Sequence, residues 1–150
     1  REIAQNVLNE LKADNTTKEE VLFLVGHHDS PAEKNVEEVK RRLSRYGEEK
    51  YRALIDLRRA DNSAQSEDFK RTEQHDRCLE MLSEILESQS CFALKNLKIN
   101  GDDLLALGFP KGSLIGQTLS ALLDGVITEK YPNNREELHK IAKNLLDSRK

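Results

Sequence analysis

The chain has 150 residues, 37% of them hydrophobic and 34% charged, with no tryptophan and a formal net charge of −3. That length holds one substantial core or two small ones, and the slight negative charge gives no global pull toward nucleic acid, so any such contact must come from local patches. The longest apolar run, Val21 to Val25, is far too short to cross a bilayer, and Cys78 and Cys91 fit neither a disulfide framework nor a zinc spacing.

No signal-like apolar segment follows the N-terminus, and a reducing cytoplasm is the expected compartment. Only three prolines and seven glycines punctuate the chain, which favours long helices over many short strands. It opens at Arg1-Glu2-Ile3-Ala4, already in helical pattern and without methionine, as an excised piece of a longer protein would.

Ile3, Val7, Leu8 and Leu11 recur at helical spacing until Asp14-Asn15 breaks it. Thr17 with Glu20 reads as a capping box. It predicts a helix with Val21, Leu22, Leu24 and Val25 as its core, closed by Gly26 and the turn His28-Asp29-Ser30-Pro31. Asn35 with Glu38 caps a helix from Val36 to about Tyr46, with Val39, Leu43 and Tyr46 inward and Gly47 as its stop. A fourth helix, about Glu48 to Arg59, buries Tyr51, Leu54, Ile55 and the stem of Arg58. Asp61 to Ser66 reads as a polar bend. A longer helix from about Glu67 to Ser88 places Cys78, Leu79, Leu82, Ile85 and Leu86 on one side.

The character of the chain then changes. Leu94, Leu97 and Ile99 lead into Asn100-Gly101, and Leu104, Leu105 and Leu107 form a short helix. Gly108-Phe109-Pro110-Lys111-Gly112 is a turn. Ser113 is positioned to cap a helix to about Asp124, with Leu114, Ile115, Thr118, Leu119 and Leu122 inward. Asn134 with Glu137 starts a last helix, buried through Leu138, Ile141 and Leu145. No strand alternation persists and no internal repeat is visible. The expected fold is an all-α helical bundle in two parts, residues 1–90 and 91–150, with a soft boundary near Ser90.

Three residue groups are candidates for chemistry. The turn after Leu107 ends one helix and starts another, where the first backbone N–H groups lack intrahelical acceptors and the dipole favours anions. Lys111 adds a charge there, Gly112 lets a phosphate approach the backbone, and Gln117 lies one turn on; ordinary capping also accounts for each of these residues. Lys40, Arg41, Arg42 and Arg45 form a basic strip whose phosphate contacts would be sequence-tolerant and salt-sensitive. The same strip, balanced by Glu37, Glu38, Glu48 and Glu49, also reads as a solvated face. His27-His28-Asp29 with Asp61 offers an incomplete divalent-metal set. His75-Asp76, among Glu73, Gln74 and Arg77, reads as a decoy within a helix.

Gly26-His27-His28-Asp29, Val39-Lys40-Arg41-Arg42-Leu43 with Gly47, and Leu57-Arg58-Arg59-Ala60-Asp61 resemble the latter half of an HD-type helical domain. The resemblance implies that His28 and Asp61 help hold metal, with the remaining ligands before Arg1. The stretch Leu97 to Ala142 closely resembles the C-terminal segment of bacterial CCA-adding tRNA nucleotidyltransferases and poly(A) polymerases. It does so most specifically in Asn100-Gly101-Asp102-Asp103-Leu104, Gly108-Phe109-Pro110-Lys111-Gly112 and Asn134-Arg135-Glu136-Glu137-Leu138.

That resemblance implies a parent that adds C, C and A to tRNA 3′ ends with Mg and ATP or CTP in an N-terminal head. No Gly-Ser followed by an Asp-x-Asp pair occurs here. No catalytic residue is therefore assigned, no cofactor is expected in this piece, and head and neck domains are expected in the same chain. The implied role is to hold the acceptor-TΨC arm of tRNA through phosphates, with Lys111, Gly112, Ser113 and Gln117 at the anion turn, Arg135 and Lys140 flanking it, and Lys40, Arg41, Arg42 and Arg45 as a second strip. Recognition of an A-form helix by shape fits a chain without aromatic platforms. An HD-type phosphohydrolase and a helical protein-interaction module, with a homodimer among its forms, are the alternatives. No membrane partner is expected.

Overall fold

Asn35, Asn100 and Asn134 each stand just ahead of a helix and turn a side-chain oxygen back onto its free backbone N–H groups. Local rules of this kind set several helix starts in the computed structural model, which describes residues 1–65, 72–88 and 90–148. Among them are eight α-helices and no strand. In chain order they are α1 (Glu2–Glu10), α2 (Asn15–His27), α3 (Val36–Tyr46), α4 (Glu48–Ser63), α5 (Thr72–Glu87), α6 (Gly101–Ala106), α7 (Ser113–Ile127) and α8 (Arg135–Asp147), with a 3₁₀ turn at Leu94–Asn96. The fold is the all-α bundle expected from the sequence. No helix among the described residues is long and apolar enough to cross a membrane.

The chain divides into two compact units, Arg1–Glu84 and Ile85–Lys150. In the first, α1 packs on α2, α2 on α4, and α3 on α4. Val39 and Leu43 from α3, Tyr51, Leu54 and Ile55 from α4, and Cys78, Met81 and Leu82 from α5 form its buried interior. In the second, α6, α7 and α8 pack against one another around Leu104, Phe109, Leu122, Val126, Leu138 and Ala142. α3, α4, α5, α7 and α8 present apolar residues at three- and four-residue intervals to these interiors.

Several local expectations are corrected. The cap of α2 is Asp14, not Thr17: its carboxylate accepts from the Thr17 N–H at 3.0 Å and from the Thr17 hydroxyl at 2.6 Å. α1 buries only Leu8, while Ile3 and Leu11 are 80% and 71% exposed, and Leu11 lies beyond the last helical residue. Val25 is exposed and the remaining apolar residues of α2 are half-buried. Asp61 to Ser63 belong to α4 and not to a bend. Burial of Asn62 overrides the weak helix propensity of those residues, and the Ser63 hydroxyl donates back to the Ala60 carbonyl at 2.7 Å. The expected start of α5 near Glu67 and the end of that bend at Ser66 lie outside the described residues.

α7 runs three residues further than Asp124, to Ile127, because Gly125, Val126 and Ile127 are buried. Its end is closed by a tight reversal: Glu129 takes a left-handed φ of 57° and the Tyr131 N–H donates to the Gly125 carbonyl at 3.0 Å. The Tyr131 ring lies directly over Gly125, where a Cβ would overlap ring carbons Cδ2 and Cε2. Gly125→Ala is therefore expected to lower unfolding stability by about 1–3 kcal/mol through overpacking. Most of that loss should vanish when the substitution is made in a Tyr131→Ala background. Urea unfolding of the four proteins in that cycle checks it, and an additive result would mean the ring simply swings aside.

Candidate nucleic-acid interface

The turn between α6 and α7 is fixed from inside. Phe109 is buried in the core of its unit and its N–H donates to the Leu104 carbonyl at 3.1 Å, so Pro110, Lys111 and Gly112 are held out at the surface. Gly112, at φ 136°, is the N-cap of α7 and supplies no side-chain cap; that φ is strained for any residue with a Cβ. Ser113, expected as the cap, is instead the first helical residue. The leading N–H groups of α7 therefore have no side-chain acceptor, which leaves the positive end of the helix dipole open to an anion. Lys111 and Gln117 are exposed, and among the described residues Lys111 forms no ion pair.

Two further cations lie on α8. Arg135 donates to Asp103 Oδ1 at 2.6 Å, and Lys140 donates to Glu137 Oε1 at 2.8 Å. Asp103 is itself the third helical residue of a capping box: its Oδ2 accepts from the Asn100 N–H at 2.9 Å, and Asn100 Oδ1 accepts from the Asp103 N–H at 3.0 Å. The Asn100 N–H first, and Arg135 after it, hold the Asp103 carboxyl below its ordinary range. His139 Nε2 lies 3.7 Å from Asp103 Oδ1, within reach as an ion pair and too far for a hydrogen bond. The bond to Glu137 raises the Lys140 ammonium.

On α3, the structure brings Arg41, Arg42 and Arg45 with Lys34 around one groove of about 480 Å³. Lys40 is half-buried and does not line it. Arg41 pairs with Glu37 at 3.1 Å. Arg42 reaches Glu33 at 3.0 Å and donates to the Tyr46 hydroxyl at 2.8 Å. Arg45 stacks toward the Tyr46 ring, 5.8 Å from its centroid.

Glu33 was not singled out by the sequence, yet it organises the first unit. Its side chain is 2% exposed. It accepts from the Tyr51 hydroxyl at 2.8 Å, pairs with Arg42, and pairs with Arg58, also 2% exposed, at 3.3 Å. Arg58 further donates to the His27 carbonyl at 3.3 Å, and the Cys78 thiol donates to the Glu33 carbonyl at 3.3 Å. Burial, then the Glu33 carboxylate, pushes the Cys78 thiol up to about 11 and the Tyr51 hydroxyl far above its usual range, so both remain proton donors. Beside this cluster lies a cavity of about 550 Å³, to whose lining His28, Arg58, Asp61 and His75 contribute.

His28 and Asp61 thus share a cavity, and these two alone make no metal site. His28 Nδ1 is 2.9 Å from the Val25 carbonyl and Nε2 is 3.2 Å from Asp29 Oδ1, so both ring nitrogens are engaged. Among the described residues no three His, Cys, Asp or Glu side chains form a group able to hold a metal ion. His75, read from sequence as a decoy, is buried at 8% exposure. Its signal was present: His75, Cys78, Leu82 and Ile85 continue one buried stripe. Asp76, its neighbour, faces away and pairs with Arg59 at 2.8 Å.

The family described as tRNA nucleotidyltransferase domain 2 matches residues 1–142. The chain belongs to that family. No curated protein and no solved structure matches it. The match runs through the first unit and into α8, so the Glu33 cluster and the α6–α7 turn both fall inside this tRNA nucleotidyltransferase domain.

Two expectations follow for the domain. Glu33→Gln strips the counter-charge from buried Arg58 and should cost about 3–5 kcal/mol, against about 1.5–3 kcal/mol for Tyr51→Phe, which removes one hydrogen bond to a charged group. Urea unfolding separates the two, and equal losses would mean that Glu33 acts by packing alone. Burial, and secondarily Arg58, lowers the His75 imidazole below its ordinary 6.5. The folded protein thus favours neutral His75, so its contribution is present above pH 6.5 and is lost as pH falls through the lowered folded value. His75→Gln should flatten that acid-side decline in a pH series of unfolding midpoints, and an unchanged slope would assign the decline to the carboxylates.

Proposed function

We propose that this domain is the non-catalytic, tRNA-holding part of a nucleotidyltransferase that completes tRNA 3′ ends with C, C and A. The nucleotidyl transfer itself, with Mg and ATP or CTP, belongs in this reading to a head domain of the same cytoplasmic enzyme, joined through a neck. The domain grips the acceptor-TΨC arm from outside while the 3′ end reaches the head. The observation that carries the reading is the open N-terminus of α7: a glycine cap, no side-chain acceptor, and Lys111 exposed beside it. A phosphate oxygen seated there accepts backbone N–H bonds and meets both the dipole and the lysine.

Around that seat, Gln117 supplies a further donor, and Arg135 and Lys140 exchange their carboxylate partners for phosphates. Arg41, Arg42 and Arg45 provide a second, sequence-tolerant contact, with Lys40 at its margin. None of these side chains reads a base, which suits an enzyme that must accept every tRNA by the shape of its A-form helix.

Binding of the chain to an acceptor-TΨC minihelix across a salt series tests this. Affinity is expected to fall linearly with the logarithm of salt concentration. Lys111→Glu should weaken binding and reduce the slope by about one phosphate contact. Arg41→Glu with Arg45→Glu should reduce it further without changing preference among tRNA sequences. A slope unmoved by Lys111→Glu would remove the α7 turn from the interface. No binding at low salt, together with a mass that rises with concentration, would favour a protein-interaction module that forms a homodimer.

A further inference from the structure

If Arg135 passes from Asp103 to a phosphate, as the tRNA-holding reading requires, it leaves a carboxylate oxygen behind. The Asp103 side chain is only 13% exposed. Its Oδ2 is fixed on the Asn100 N–H by the capping box that starts α6, and its Oδ1 accepts from Arg135. A largely buried carboxylate oxygen stripped of its donor is costly.

A second nitrogen stands beside that oxygen. His139 lies one turn after Arg135 on α8, and its Nε2 is 3.7 Å from the same Oδ1. This Nε2 is shut off from solvent and has no hydrogen-bond partner among the described residues, a rare condition for a buried polar nitrogen. A lone pair there would face the carboxylate, so Nε2 carries the hydrogen. Arg135 occupies the oxygen, and the ring waits just out of bonding range. We propose that His139 is the stand-in partner of Asp103: as Arg135 turns to a tRNA phosphate, the ring closes on Oδ1 and takes a proton from solvent. Gripping RNA is then coupled to proton uptake. This inference rests on the tRNA-holding reading and makes His139 a positioning residue that touches no RNA.

The surrounding charges set the direction. Of the helices packed on α8, α6 carries Asp102 and Asp103, and α7 only Asp124. On α8 itself Arg135 and Lys143 lie four residues to either side of the ring, Glu136 three before it and Lys140 next to it. Among the described residues the ion pair of the ring is with Asp103. Withdrawal of the Arg135 charge and arrival of phosphate charge both favour the imidazolium. Asp103 stays ionised throughout, because the Asn100 N–H holds its carboxyl below the ordinary range. The other three histidines, His27, His28 and His75, belong to the first unit.

The test is calorimetry of the full chain with an acceptor-TΨC minihelix at pH 7. Two buffers of different ionisation heat count the protons taken up, and affinities at pH 6 and pH 8 are compared at fixed ionic strength. The unaltered chain should take up a fraction of a proton and bind about threefold or more tighter at pH 6. His139→Gln, which keeps a neutral donor, should abolish that uptake and most of the pH dependence while the salt dependence remains. In the free chain, Arg135→Gln alone should move the His139 ring nitrogen resonances toward the imidazolium form. Salt-dependent binding with the same proton uptake in the unaltered chain and in His139→Gln would overturn the coupling and leave the tRNA-holding reading standing. So would a His139 ring unmoved by Arg135→Gln. No binding at any pH or salt would overturn both.

Discussion

A single buried carboxylate ties together the first half of this molecule. Glu33 follows no helix of its own, yet its side chain meets Arg42 from α3 and Tyr51 and Arg58 from α4, while its backbone carbonyl takes the Cys78 thiol of α5. Taking a carboxylate and a guanidinium out of water costs several kcal/mol per ion, which direct attraction alone rarely returns. Here the cost is offset by crowding: the carboxylate serves two guanidiniums and a hydroxyl, and Arg58 reaches on to the His27 carbonyl. An apolar side chain at that position would relieve the desolvation, but it would leave Arg58 stranded and would lose the geometry that orients α3 against α4. The loop from His28 to Asn35 is ordered for the same reason, because its one buried side chain is clamped from several directions.

The second unit is held differently. Its interior is apolar, with Leu104, Leu122, Leu138 and Ala142 fully buried, and its polar bonds sit at helix ends. The Asn100–Asp103 box and the Asn134 cap bring α6 and α8 to defined starts, and Arg135 ties those two starts together through Asp103. Phe109 then pins the α6–α7 turn to the core. A turn held this way suits the proposed anion seat, because donors that are already in place lose little freedom when an anion arrives.

How much of this was legible in the sequence follows from the range of each interaction. The bounds of α3 were legible residue for residue, since Asn35 bonds the Glu38 N–H only three positions away and Gly47 stops the helix. The all-α class was legible from spacing, and the exposed α6–α7 turn from its glycines and proline. Glu33 was not legible, because its partners lie 18, 25 and 45 residues along the chain, and no local pattern marks such a residue. The burial of His75 was hard to see because its neighbours Glu73, Gln74 and Arg77 are polar, although its position three residues before Cys78 continues the buried stripe. Thr17 was taken as a cap because its spacing to Glu20 fits, when the charged Asp14 caps an earlier start by accepting from the Thr17 N–H.

Exposure decides which cations a chain of net negative charge has available for phosphate. Arg58 is buried within its pair, so no external polyanion competes for its bond to Glu33 without opening the core. Arg135 and Lys140 have side chains 68% and 67% exposed, and exposed pairs are worth only about 0–1 kcal/mol. Their present carboxylate partners therefore hold them in position without withholding them. A phosphate backbone, which concentrates charge and releases counterions on contact, outweighs such a pair. The carboxylates of Asp103 and Glu137 thus hold these two long side chains in place without burying them. Lys111 stands in no such pair among the described residues, and its side chain is exposed. The overall charge of −3 then limits non-specific attraction, because a polyanion gains only where these local groups converge.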